Sequence, residues 1–145
     1  VVNLAKGGVY SARSDVRESV LFALQVPASG KGSLRYAVTA PGTLELLTVR
    51  FYIGCNLQLR LRPVLERRGE GVGSGSNLVK FVNGGLEYVD GDDDKHSFKM
   101  AYAVREGDFI VVNYQNMDAV NAYNFRVTAD IDYLGGEART LPGVV

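Results

Sequence analysis

Between Tyr88 and Phe98 the chain reads YVDGDDDKHSF, four aspartates around one glycine just ahead of the only histidine. Asp90, Asp92 and Asp94 have the spacing of the first three ligands of a calcium loop, in which alternate residues turn oxygens toward one hard cation. The rest of that pattern fails. Counted from Asp90, the position that needs glycine is Lys95 and the one that needs a bidentate glutamate is Ala101. An irregular calcium site would have to borrow Glu87 or a neighbouring loop; the plainer reading is a solvated turn whose like charges discourage stray strand pairing.

Other chemistry is thinly supplied. A zinc site would have to combine His96 with Cys55 and carboxylates, a poor match to the usual nitrogen and sulfur sets. A serine or cysteine nucleophile with a histidine base must route through His96, and no G-x-S-x-G elbow is present. Asp130 and Asp132 share one face of a strand pattern, where alternating surface acids explain them more simply than acid and base catalysis. Gly69, Gly71, Gly73 and Gly75 lack the Lys-Ser/Thr or helix start of a phosphate cradle; NLVKFV follows and reads as a strand. The reading is a protein that is not an enzyme and takes no cofactor.

The elements that must position these residues are strands. Val20, Phe22, Leu24 and Val26 alternate with polar neighbours, and Pro27 with the glycines of PASGKGS ends that run. Leu34, Tyr36 and Val38 alternate next, and Ala40-Pro41-Gly42 turns the chain. Thr43 to Ile53 is apolar on both faces, with Leu47, Val49, Phe51 and Ile53 on one, and reads as the central strand. Leu57, Leu59 and Leu61 alternate with Gln58, Arg60 and Arg62, a strand with one wet, basic face; Pro63 places it at an edge or bulge. RRGEGVGSGSN is a loop. Leu78 to Val82, a turn at Asn83-Gly84-Gly85, and Leu86 to Val89 read as a hairpin. Phe98, Met100 and Tyr102 form a further strand, Arg105 to Asp108 a turn, Phe109 to Tyr114 another strand, and Phe125 to Tyr133 the last. About eight to ten strands without a helical period predict an all-β, antiparallel, jelly-roll-like sandwich. One cysteine and no tryptophan remove the immunoglobulin hallmark.

The 145 residues fit one domain, with an N-terminal arm over about 1–8 and a C-terminal tail over about 135–145. Apolar residues at 46% and charged residues at 22% match a folded soluble protein, and no apolar run approaches the roughly 20 residues of a membrane span. VVNLAKGGVY lacks the basic and apolar regions of a secretory signal. Each end carries apolar residues beyond a Gly-Gly hinge, and Val1, Val2, Leu4, Leu141, Val144 and Val145 are the candidates to dock on a neighbouring copy. The net charge is zero, which argues against nucleic acid. It is unevenly placed: residues 1–70 hold ten basic and five acidic side chains, residues 71–145 six and eleven. That imbalance suits packing between copies if the fold leaves the two signs on different faces.

The alternating strands through APGTLELLTVRFYIG, the turn VREGDFIVV and the last strand FRVTADIDYLGG resemble small jelly-roll structural proteins of virions, of the tailed-phage capsid decoration or head-appendage type. The resemblance is one of architecture. It implies a homo-oligomer, often a trimer, that binds a capsid lattice, located in the virion. The alternative is an extracellular glycan-binding module, calcium-assisted, with Tyr114, Tyr123 and the amides of QNMDAVNAYN as its polar, aromatic surface.

Overall fold

The computed structural model describes residues 8–70 and 75–133. The residues assigned to docking arms, Val1, Val2, Leu4, Leu141, Val144 and Val145, lie outside the described residues. Among the described residues there are nine strands: β1 (Gly8–Arg13), β2 (Arg17–Val26), β3 (Lys31–Ala37), β4 (Gly42–Phe51), β5 (Leu59–Glu66), β6 (Ser76–Asn77), β7 (Lys95–Val104), β8 (Phe109–Asn116) and β9 (Tyr123–Asp132). They make a five-stranded sheet ordered β1-β2-β9-β4-β7 and a four-stranded sheet ordered β3-β8-β5-β6. Apart from β1, and from β5 and β6, which pair in one sheet, successive strands pass between the sheets and the last returns beside β2, which is the jelly-roll winding. Among the described residues no helix is long and apolar enough to cross a membrane.

Alternation explains the core. Val20 and Phe22 of β2, Leu47, Val49 and Phe51 of β4, and Phe125, Val127 and Ile131 of β9 all turn inward, meeting Leu59, Leu61, Leu65, Ile110 and Val112 of the other sheet. Fully burying one such side chain contributes about 1.5–3 kcal/mol, so this interior carries most of the stability.

Five expectations are corrected. The central strand of the larger sheet is β9, flanked by β2 and β4, whereas β4 lies between β9 and β7. Ile53 is not on the core face: β4 stops at Phe51, Gly54 takes a positive φ of 95°, and Cys55 fills the interior while Ile53 is 81% exposed. Leu57 precedes β5 in a left-handed turn with Asn56, and its side chain is exposed. The hairpin expected over 78–89 does not form. Asn77 accepts the N–H groups of Val79 and Lys80 through its side-chain oxygen, curling the chain out of extension. Only Val89 keeps a bridge, to Leu61. β5 is not an edge strand and has no bulge at Pro63, since β8 and β6 flank it and its register with β8 is unbroken, but β6 is two residues long and leaves Pro63 without a ladder partner on that side.

Candidate functional site

Because Leu59, Leu61 and Leu65 face the core, Arg60 and Arg62 must point outward. Strand register then builds a surface that no single segment contains. Arg60 pairs with Gln115 and Gln115 with Lys31, giving one row across three strands; Arg62, Asn113 and Ser33 form the next, and Val64, Val111 and Arg35 the one after. Neighbouring strands lie about 4.8 Å apart, so the backbones of Arg60 and Lys31 are about 10 Å apart with an amide between them. Tyr88 stands beside this lattice, its ring 5.4 Å from the Arg60 guanidinium carbon. Lys31, Arg60, Arg62, Asn113, Gln115, Tyr88 and Tyr114 line a groove of about 450 Å³. Arg62 is paired with Glu87 at 3.2 Å. Among the described residues no carboxylate lies within ion-pair distance of Lys31 or Arg60, although Asp90 shares a smaller adjoining hollow with Arg60.

The aspartates singled out from sequence diverge. Asp90 turns toward that hollow. Asp92 accepts the Gly54 N–H at 2.8 Å, Asp93 pairs with Arg50 at 3.2 Å, and Asp94 lies 3.2 Å from His96 Nε2. Among the described residues no three His, Cys, Asp or Glu side chains come together in a way that would hold a metal ion. Gly91 permits the close packing here, since a Cβ would fall 2.2 Å from Asp94 Oδ1 and 2.9 Å from the Phe51 ring. His96 sits between Phe51 and Phe98, stacked on the latter at 6.4 Å. The Cys55 thiol is buried, and that burial raises its pKa. Asp130 accepts the Ser19 hydroxyl at 2.6 Å on the outer face of the larger sheet.

Backbone hydrogen bonds knit the loops 52–58, 91–94 and 116–122 into one end of the sandwich, Leu57 N to Gly91 O and Met117 N to Gln58 O among them. This end is acidic, with Asp92, Asp93, Asp94 and Asp118, and it exposes Ile53, Leu57, Met117 and Val120. Asp118 accepts the Tyr123 hydroxyl at 2.5 Å and the N–H groups of Val120 and Asn121, which hold its carboxyl well below the usual range. Tyr114 packs against Phe125 instead, so the two tyrosines do different jobs.

A third feature is the tip formed by residues 78–88. Leu78 and Val79 plug into the core, while Phe81 is 88% exposed and Leu86 65%. Asn77 Nδ2 donates to Glu87 O and Asn83 Nδ2 to Tyr88 O, and Gly84 and Gly85 adopt positive φ to close the turn. The tip is therefore braced at both ends while its apolar side chains face water.

Of three carboxylates buried among the described residues, Glu66 pairs with Arg35 at 2.6 Å, and the other two, Glu18 and Asp108, tie distant segments together. Glu18 accepts the hydroxyls of Tyr133, at 2.5 Å, and Tyr36. Burial first, then the bond to Glu18, pushes Tyr36 up to about 12. Asp108 is fully buried. Burial alone would raise its carboxyl; the N–H groups of Arg68 and Arg105 and the Arg67 guanidinium at 2.8 Å outweigh it, and the pKa is lowered. Sequence gave no sign of either network, because the partners lie far apart along the chain. The wet, basic face of β5 was legible, but its completion by Lys31, Asn113 and Gln115 was not.

The chain matches no protein-family model and no curated protein sequence. It is similar in fold to the Yersinia pseudotuberculosis-derived mitogen, with a TM-score of 0.42 and 14% identity over 77% of this chain and 83% of that one. A similar likeness joins it to the Bacillus endospore appendages that form disulfide-linked pili, TM-score 0.40, 13% identity, 91% and 95% covered. The Aeromonas hydrophila periplasmic inhibitor of g-type lysozyme gives a TM-score of 0.38 and 15% identity, with 90% and 92% covered.

Proposed function

We propose that this chain is a non-catalytic structural protein that associates with copies of itself, and that its setting is a virion, where it binds and decorates a capsid lattice. The observation that carries the reading is the braced apolar tip. Contiguous exposed apolar side chains on a soluble protein mark an interaction surface, and a preorganised one loses little entropy on docking. The partner fitted to it is a second copy. The tip also carries the exposed Lys80, and the acidic end with Ile53, Leu57, Met117 and Val120 offers the opposite charge together with its own apolar residues.

A contact between unlike surfaces of identical chains is heterologous, and it yields a ring when its rotation closes. A trimer is the smallest such ring, in keeping with the virion proteins the sequence resembles. Jelly rolls also recur in capsid domains, which supports the setting by analogy of fold.

Sedimentation velocity on the full chain tests this. Wild type should sediment as an oligomer at micromolar concentration, and Phe81→Ser combined with Leu86→Ser should sediment as a monomer that stays folded by circular dichroism. Asp92→Asn with Asp93→Asn should also weaken the assembly. A monomeric wild type, or an oligomer indifferent to the tip, would sink the reading; if only removal of residues 1–7 dissociates it, the arm replaces the tip.

A further inference from the structure

We infer that the groove on the outer face of the four-stranded sheet binds an acidic saccharide, an activity separate from self-association that draws on Tyr88 and not on Tyr123, with Tyr114 among the lining residues. Four features of the groove point to this ligand class. Lys31 and Arg60 carry charge that no carboxylate neutralises among the described residues, so an incoming anion displaces no ion pair. Between and beside them the register sets Gln115 and Asn113, whose amides each offer a donor and an acceptor, the pair that adjacent sugar hydroxyls require. Tyr88 forms a wall, and an aromatic face beside polar groups suits the apolar face of a pyranose ring. The volume, about 450 Å³, is within the range of pockets that take small ligands.

The spacing narrows the class. A single small anion cannot touch two cations whose backbones stand about 10 Å apart across three strands. A ligand that reaches both needs a hydroxyl-bearing body between its charges, or a charge at one end and hydroxyls along the rest. An oligosaccharide with acidic groups on alternate rings has that form. Nucleic acid fits less well, because the chain is neutral overall and, of the two tyrosines lining the groove, Tyr114 is packed against Phe125, which leaves Tyr88 to stack. Two carboxylates in the adjoining hollow oppose an anion; Glu87 is offset by its ion pair with Arg62, so Asp90 supplies the control.

Calorimetric titration of the full chain with three tetrasaccharides decides the matter: hyaluronan for carboxylate, chondroitin sulfate for carboxylate with sulfate, and chitotetraose as the neutral counterpart. At least one acidic probe should bind, and chitotetraose should bind at least about tenfold more weakly, a difference of about 1.4 kcal/mol. The exposed substitutions Arg60→Gln and Lys31→Gln should each weaken the acidic probe by about tenfold with no change in melting temperature, Tyr88→Ala should weaken both kinds of probe, and Asp90→Asn should tighten the acidic one. Comparison of the two acidic probes tells carboxylate from sulfate. Equal affinity for the neutral sugar, no binding of any probe, or binding indifferent to Arg60 and Lys31 would overturn the inference. Sedimentation of the same variants separates this site from assembly: lost binding accompanied by lost oligomer would assign the groove to the contact between copies and overturn the saccharide reading as well.

Discussion

The corner at Arg105–Asp108 and the tip at residues 78–88 are both short connections fastened by one side chain that captures backbone N–H groups, yet they face opposite ways. At the corner the captor is a charged carboxylate, fully buried, tying the β7–β8 turn to the end of β5 through Arg67 and Arg68. Gly107 makes the corner possible with a φ of 91°. At the tip the captor is the neutral amide of Asn77, which accepts from Val79 and Lys80 and donates to Glu87. One connection turns its polar atoms inward to hold two sheets; the other turns apolar side chains outward. The difference teaches that order in a loop is no sign of its purpose: the same capture of N–H groups serves stability in one and display in the other.

Breaking the corner should have the largest effect. Asp108→Ala leaves Arg67 without its carboxylate and two N–H groups unsatisfied, and should destabilise the protein by about 3–5 kcal/mol in urea unfolding. At the tip, Asn77→Ala should cost about 1–2 kcal/mol and speed hydrogen exchange at Val79 and Lys80, while the exchange of β8 amides stays slow. The acid limb sharpens the contrast further. The folded carboxyl of Asp108 titrates below its unfolded value of about 3.9, so its contribution is complete above that pH and is lost as pH falls through the folded value. Stability below about pH 4 should therefore fall more steeply in wild type than in Asp108→Asn, and Asn77→Ala should leave that slope unchanged. Tyr36 provides the alkaline counterpart: with its folded pKa raised to about 12, its contribution is present below the unfolded value of about 10 and disappears between the two, a loss that Glu18→Gln should lessen. The smallest effect belongs to the tip's outward residues, since Phe81→Ser should shift unfolding of the isolated chain by no more than about 0.5 kcal/mol.

The fold was legible where local pattern and burial agree. Val20, Phe22 and Val26 of β2 and Phe125, Val127, Ala129 and Ile131 of β9 fall on alternate positions and are buried, so the sandwich could be read directly. β1 could not: its residues are half-buried or exposed at a sheet edge and show no alternation. LVKFV misled because an apolar run looks like a strand, while the residue that diverts it, Asn77, acts through a side-chain hydrogen bond that composition does not reveal. The groove needed strand register, which joins Lys31 to Gln115 and Gln115 to Arg60 across more than eighty residues of sequence. The turn R-E-G-D reads as solvated, and nothing local announces that Asp108 ends in the interior with a guanidinium from residue 67.

Pro63 bears on how the molecule avoids uncontrolled growth. Its carbonyl faces the open side of β5, where it accepts from Leu78, and two residues earlier Leu61 exchanges both of its backbone bonds with Val89 on that same side. A foreign strand laid along this border would meet an imino nitrogen with nothing to donate at the middle of its path, and the anchored segments on either side of it already in place. Accretion into fibrils through that margin is thereby discouraged, and contact between molecules is left to side chains, whose number and geometry are finite.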